Sequence, residues 1–107
     1  MRMIKNLFTF ANAAATVGAL LGLSNVAVAQ MEDVVIEAEL VRDGVYMLTG
    51  SGGNMGLCVG DEATFLIDDQ FAPLTPKIEA AIAEVSDRPV DYVLNTHWHY
   101  DHTGGTE

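Results

Sequence analysis

All three histidines of the 107-residue chain fall within six positions: His97, His99 and His102, with Asp101 beside the last. The run Val90-Asp91-Tyr92-Val93-Leu94 stands just before them and reads as a strand, so the cluster belongs at a strand's carboxyl end. Three imidazoles and one carboxylate offer neutral nitrogen and hard oxygen, the donor set of a borderline divalent cation such as zinc. On an extended or turning segment His97 and His99 point the same way and can share one ion. Asp101 and His102 are adjacent, and need a turn to aim at a neighbouring second ion. Gly104-Gly105 allows that turn without backbone strain. A surface His tract with incidental metal affinity is the plainer alternative, and it leaves the alternate-plus-adjacent spacing unexplained.

Upstream, Val34–Leu40 alternates weakly, and Val41–Leu48 reads as a strand reached through the Asp43-Gly44 turn. Gly50-Ser51-Gly52-Gly53-Asn54 reads as a flexible turn. Met55–Val59 and Thr64–Ile67 read as two strands joined by Gly60-Asp61-Glu62. Phe65-Leu66-Ile67 is continuously apolar, as in a strand covered on both faces. Thr75 is expected to cap a helix, with Pro76 at its first position and Glu79 in its first turn. Leu74, Ile78, Ala81, Ile82 and Val85 then share one face. Asp87-Arg88-Pro89 ends the helix before the strand Val90–Leu94. The order is mixed α/β, with no repeat and no low-complexity segment.

The first 29 residues read as a signal peptide. Arg2 and Lys5 are the only charges before Glu32, an apolar stretch runs from Leu7 to Leu23, and Ala27-Val28-Ala29 suits signal peptidase. Asn12, Thr16 and Ser24-Asn25 interrupt the stretch, which argues against a stable membrane anchor. The expected product is periplasmic or secreted and starts at Gln30. Residues 30–107 then keep Arg42, Lys77 and Arg88 against all 15 acidic residues, a net charge of −12. Such a chain repels phosphate backbones, so a small-molecule substrate is expected rather than nucleic acid. The single Cys excludes an internal disulfide framework. Cys58 reads as a small core residue of its strand.

Asn95-Thr96-His97-Trp98-His99-Tyr100-Asp101-His102-Thr103-Gly104-Gly105 resembles the HxHxDH signature of the metallo-β-lactamase-fold hydrolases. Leu66-Ile67-Asp68 resembles the earlier motif of that family, a strand ending in an Asp that buttresses the metal site. The resemblance spans residues 40–107. It implies an α/β fold, the N-terminal half of an αββα sandwich over residues 30–107. It further implies that His97 and His99 bind one zinc ion, Asp101 and His102 a second, and that Asp68 orients ligands from behind. Asp69 is the weaker candidate of the two acids. The implied chemistry is metal-assisted hydrolysis of a small ester, amide, lactone or β-lactam. Two close cations acidify the attacking water, and Asp101 is the catalytic residue that orients it. Trp98 and Tyr100, alternating with the ligands, are expected to pack beneath the site. Thr103 has two open roles, bonding a ligand or capping a helix.

The family also uses a third His, a bridging acid and a last His further downstream, and no other His exists in this chain. The expectation is therefore a fragment of a longer protein, inactive by itself. A mononuclear iron enzyme acting on persulfides is one alternative, with iron in place of zinc. A non-catalytic metal-binding module is another.

Overall fold

The computed structural model describes residues 30–106, and those from Asp33 onward form one compact unit. The signal peptide expected over 1–29 lies outside the described residues. Five strands form one sheet in the order of the chain. They are β1 (Glu37–Arg42), β2 (Val45–Thr49), β3 (Met55–Val59), β4 (Thr64–Ile67) and β5 (Tyr92–Leu94). The first four pair antiparallel, and β4 pairs parallel with β5. A parallel neighbour needs a crossover, which is supplied by a 3-10 turn (Ala72–Leu74) and the helix α1 (Thr75–Val85). The four-residue helix α2 (Tyr100–Thr103) follows β5.

The expected strand over Val41–Leu48 is in fact a hairpin. Val41 and Arg42 end β1, with an irregularity between Leu40 and Arg42, and Asp43-Gly44 joins β1 to β2. Gly44 is required there twice over. Its φ is +72°, and a Cβ would stand 2.7 Å from the Val59 carbonyl oxygen. That contact is close because the Val59 N–H donates to the Gly44 carbonyl at 2.7 Å. The start of α1 also differs from the expectation. Leu74 is the N-cap residue, no side chain caps the helix, and its first turn holds no acid. The preceding 3-10 turn already runs into the helix, so Thr75 is inside it and Glu79 falls in the second turn.

Register places Tyr46, Leu57, Leu66 and Val93 in one cross-strand row, with Leu48 and Met55 on the same face. Leu48, Met55, Leu57 and Leu66 are buried, as are Leu74, Ile78, Ala81 and Ile82, and together they are the core. At about 25 cal/mol per Å² of apolar surface removed from water, burial of this set is the main source of stability. The other face carries Val45, Cys58, Phe65 and Tyr92 in one row. Phe65 is 36% exposed and stacks on Tyr92, with ring centroids 5.2 Å apart. The expectation that β4 is covered on both faces is therefore corrected for the chain described, since only the Leu66 face is closed. Cys58 is half-buried and free. No helix among the described residues is long and apolar enough to cross a membrane.

Candidate metal centre

Because β4 and β5 run parallel with Ile67 opposite Leu94, the residues that follow each strand leave the same edge of the sheet. Asp68 leaves β4 there, and Asn95, Thr96 and the His cluster leave β5. The Asp68 N–H still donates to the Leu94 carbonyl at 2.9 Å, so the parallel pairing runs to the point where the site begins. Asp68 then turns through φ +62°, a left-handed conformation that Asp tolerates better than most side chains. That turn leaves its carboxylate buried, at 4% exposure.

Three donors meet this carboxylate. The Thr96 N–H donates to Oδ1 at 2.7 Å, the Thr96 hydroxyl donates to Oδ2 at 2.8 Å, and His102 Nδ1 stands 2.8 Å from Oδ2. Burial pushes the Asp68 carboxyl up. The Thr96 backbone N–H, the His102 ring and the Thr96 hydroxyl together outweigh it and hold the carboxyl below its ordinary value. Asp68 is thus an ionised acceptor at neutral pH, and the proton of the pair sits on His102 Nδ1. A neutral His102 then presents the lone pair of Nε2 outward. His97 repeats the arrangement at one remove. Its Nδ1 lies 2.9 Å from the Thr96 hydroxyl oxygen, whose own proton goes to Asp68, so His97 Nε2 is likewise left for a ligand.

The rings gather outside this frame. His97 lies 4.7 Å from His99 and 4.0 Å from His102, centroid to centroid. His102 Nε2 lies 3.3 Å from Asp101 Oδ2. Two donors sharing a tetrahedral zinc at ordinary bond lengths stand roughly 3.4 Å apart, so this pair already has the spacing of two ligands of one ion. Among the described residues, no group of three or more His, Cys, Asp or Glu side chains has its donor atoms arranged to hold a metal ion. The donor set and its hydrogen-bonded backing fit a divalent cation, while full convergence requires His97 and His99, both exposed, to turn toward the pair.

Helix α2 supplies the turn that Asp101-His102 needs, with the His102 N–H donating to the His99 carbonyl at 2.9 Å. Thr103 ends this helix and its hydroxyl donates back to the His99 carbonyl at 3.2 Å. Gly104 is required for closeness rather than for turning. Its φ is −71°, yet a Cβ would stand 2.6 Å from the Gln70 carbonyl oxygen. The Asp69 carboxylate accepts instead from the Gly105 N–H at 3.1 Å and the Thr106 hydroxyl at 2.6 Å. Trp98 and Tyr100 do not pack beneath the site, for they are 82% and 83% exposed. Residues 97–100 are exposed throughout, His97 and His99 as well as the two aromatic residues between and after them, so no layer of the chain described lies over these rings.

Three contributors escape a reading of the sequence. Thr96 joins Asp68 to His97, and its only signal is its place directly before the motif. Asn95 Nδ2 donates to the His102 carbonyl at 2.8 Å. Gln70 is fully buried directly after two acids, and nothing local marks it.

The profile of the metallo-beta-lactamase superfamily matches residues 48–107, more than half of the chain. The coenzyme F420H(2) oxidase of Methanothermobacter marburgensis is 36% identical over 63 residues, covering 55% of this chain and 16% of that protein. Among solved structures, a HARLDQ-motif metallo-β-lactamase of Cronobacter sakazakii superposes with a TM-score of 0.61 at 23% identity. It covers 67% of this chain and 29% of that one. A single-site mutant of the metallo-β-lactamase from Legionella gormanii gives 0.61 at 20% identity, covering 67% and 28%. At these identities the structural likeness is one of fold. The chain spans less than a third of the length of each of these three proteins.

Proposed function

The chain belongs to the metallo-β-lactamase superfamily, and from that premise we propose that the whole protein is an exported, zinc-dependent hydrolase of a small ester, amide, lactone or β-lactam. The observation that carries the proposal is the buried Asp68 carboxylate, which fixes His102 directly and His97 through Thr96 with their Nε2 atoms outward. Metal-binding imidazoles are commonly backed this way, because the partner of the second nitrogen sets tautomer and ring direction. In this reading His97 and His99 hold one cation, and Asp101 and His102 a second.

Bound zinc would supply Lewis acidity and a more acidic water. The chain's own part is orientation. Asp68 stays ionised and keeps the proton on His102 Nδ1. The Asp101 carboxylate, partly exposed at 36%, accepts from water at the mouth of the site and aims it. The net charge of −10 supports a small-molecule substrate over a polyanion. Arg2, Lys5 and Ala27-Val28-Ala29 support export to the periplasm or beyond. Sequencing the amino terminus of the protein recovered from its native cells is expected to begin at Gln30, and an intact Met1 overturns export by cleavage.

The test of the activity is elemental analysis of the whole protein, followed by a panel of β-lactam, lactone, ester and amide substrates. Two zinc ions and turnover that a chelator removes and zinc restores are the expected result. A redox reading stands second, because the 36% identical relative is named as an oxidase of a reduced coenzyme. Iron in place of zinc, with no turnover on the panel, favours that reading and overturns the hydrolase.

A further inference from the structure

The loop Gly50–Asn54 between β2 and β3 has the composition of a flexible turn, yet one buried side chain ties it down. Gln70 Oε1 accepts the Ser51 N–H at 3.2 Å, and Gln70 Nε2 donates to the Gly53 carbonyl. The Gln70 carbonyl accepts the Gly104 N–H at 2.7 Å. One residue thus fastens both the glycine loop and the end of α2 to the end of β4. Its backbone lies at φ +53°, a region unfavourable for Gln. Such strain persists where the surroundings over-determine it.

The consequence falls on two donors of the candidate metal centre. A Cβ on Gly53 would stand 2.4 Å from His102 Cε1 and 2.7 Å from His102 Nε2. A Cβ on Gly52, whose φ is +97°, would stand 3.0 Å from Asp101 Cβ and 3.6 Å from Asp101 Oδ2. The loop backbone therefore lies directly against the edge of the His102 ring that carries Nε2. Asp68 holds the same ring at its other nitrogen, Nδ1. Only residues without a side chain fit between the clamp and the donors, which gives the glycines at 52 and 53 a steric reason.

We infer that Gln70 is a positioning residue for the Asp101–His102 pair. By clamping Gly50–Asn54 it fixes where His102 Nε2 and the Asp101 carboxylate stand, and so sets the affinity of that pair for its cation. Gln70 itself touches neither donor. The inference rests on the metal-centre reading above.

The test uses the whole protein stripped of metal and titrated with Zn²⁺ against a chromophoric chelator, with circular dichroism and thermal melting to follow the fold. The cation of the pair is the equivalent that His102→Ala removes. Gln70→Gly releases the clamp while relieving the left-handed backbone, so it does not depend on a strained fold surviving. Gly53→Ala keeps the clamp and sets a methyl group where the ring edge stands. Both variants are expected to weaken the pair's equivalent about tenfold and to leave any other equivalent as in the wild type. A merely structural role would instead lower the melting temperature and move all equivalents alike, and that result overturns the inference. Unchanged binding in both variants overturns it too, with the metal-centre reading intact. A wild-type protein that binds no zinc removes the metal-centre reading and the inference with it.

Discussion

Asp101→Asn is expected to lower hydrolysis by about two to four orders of magnitude with the fold in place. That range is the ordinary contribution of a side chain placed to accept from a reacting water and aim it. The substitution keeps size and shape. It replaces an anionic acceptor with an amide, whose NH2 group then competes for the space 3.3 Å from His102 Nε2. The cation of that pair loses its negative partner, and the water loses its orienting acceptor. Stability changes little, because Asp101 is partly exposed and its remaining role is to favour the first turn of a four-residue helix. That contribution is at most about 1 kcal/mol. The check is kcat/KM on the best panel substrate, with zinc content and melting temperature measured on the same sample. Wild-type turnover in the variant sinks the assignment of Asp101.

What the sequence conveyed and what it hid divide along a physical line. Met55–Val59 and Thr64–Ile67 are legible as short apolar runs bounded by turn residues, and Thr75–Val85 as a face of period 3.6, because each buries apolar side chains against a single core. The proximity of Asp68 to the His cluster was legible only through the resemblance, since 28 positions separate Asp68 from Thr96. The parallel pairing of β4 with β5 is what closes that gap. The roles of Gln70 and of the glycines at 52 and 53 were not legible. Gly-Ser-Gly-Gly has the same composition whether it is loose or pressed against a ring. The difference lies in a buried amide 17 residues from the loop it holds. The exposure of Trp98 and Tyr100 is hidden for a related reason. Alternation along a segment fixes that their rings oppose the ligands, but not which of the two sides faces protein.

Asp68→Asn is the sharpest test of how the site is held. The backbone tolerates it, since Asn occupies the left-handed region at φ +62° as readily as Asp. Oδ1 can still accept the Thr96 N–H, now 2.7 Å away. The amide NH2 then replaces Oδ2, which receives both the Thr96 hydroxyl and His102 Nδ1. A donor now faces Nδ1, so a neutral His102 must present a lone pair there and carry its proton on Nε2, the nitrogen the cation needs. The Thr96 hydroxyl loses its shorter acceptor as well and keeps only Oδ1 at 3.1 Å, which loosens the direction it gives His97. Metal affinity is expected to fall about 100-fold, the upper end of what loss of such a backing group costs. Stability should fall by about 1–3 kcal/mol, for the loss of a buried charged acceptor. Nitrogen chemical shifts of His102 in the metal-free protein read the tautomer directly. The expected result is a proton on Nδ1 in the wild type and on Nε2 in the variant. An unchanged tautomer together with unchanged affinity would mean that Asp68 merely closes a strand, and that the orientation of His102 is set by the loop at Gly53.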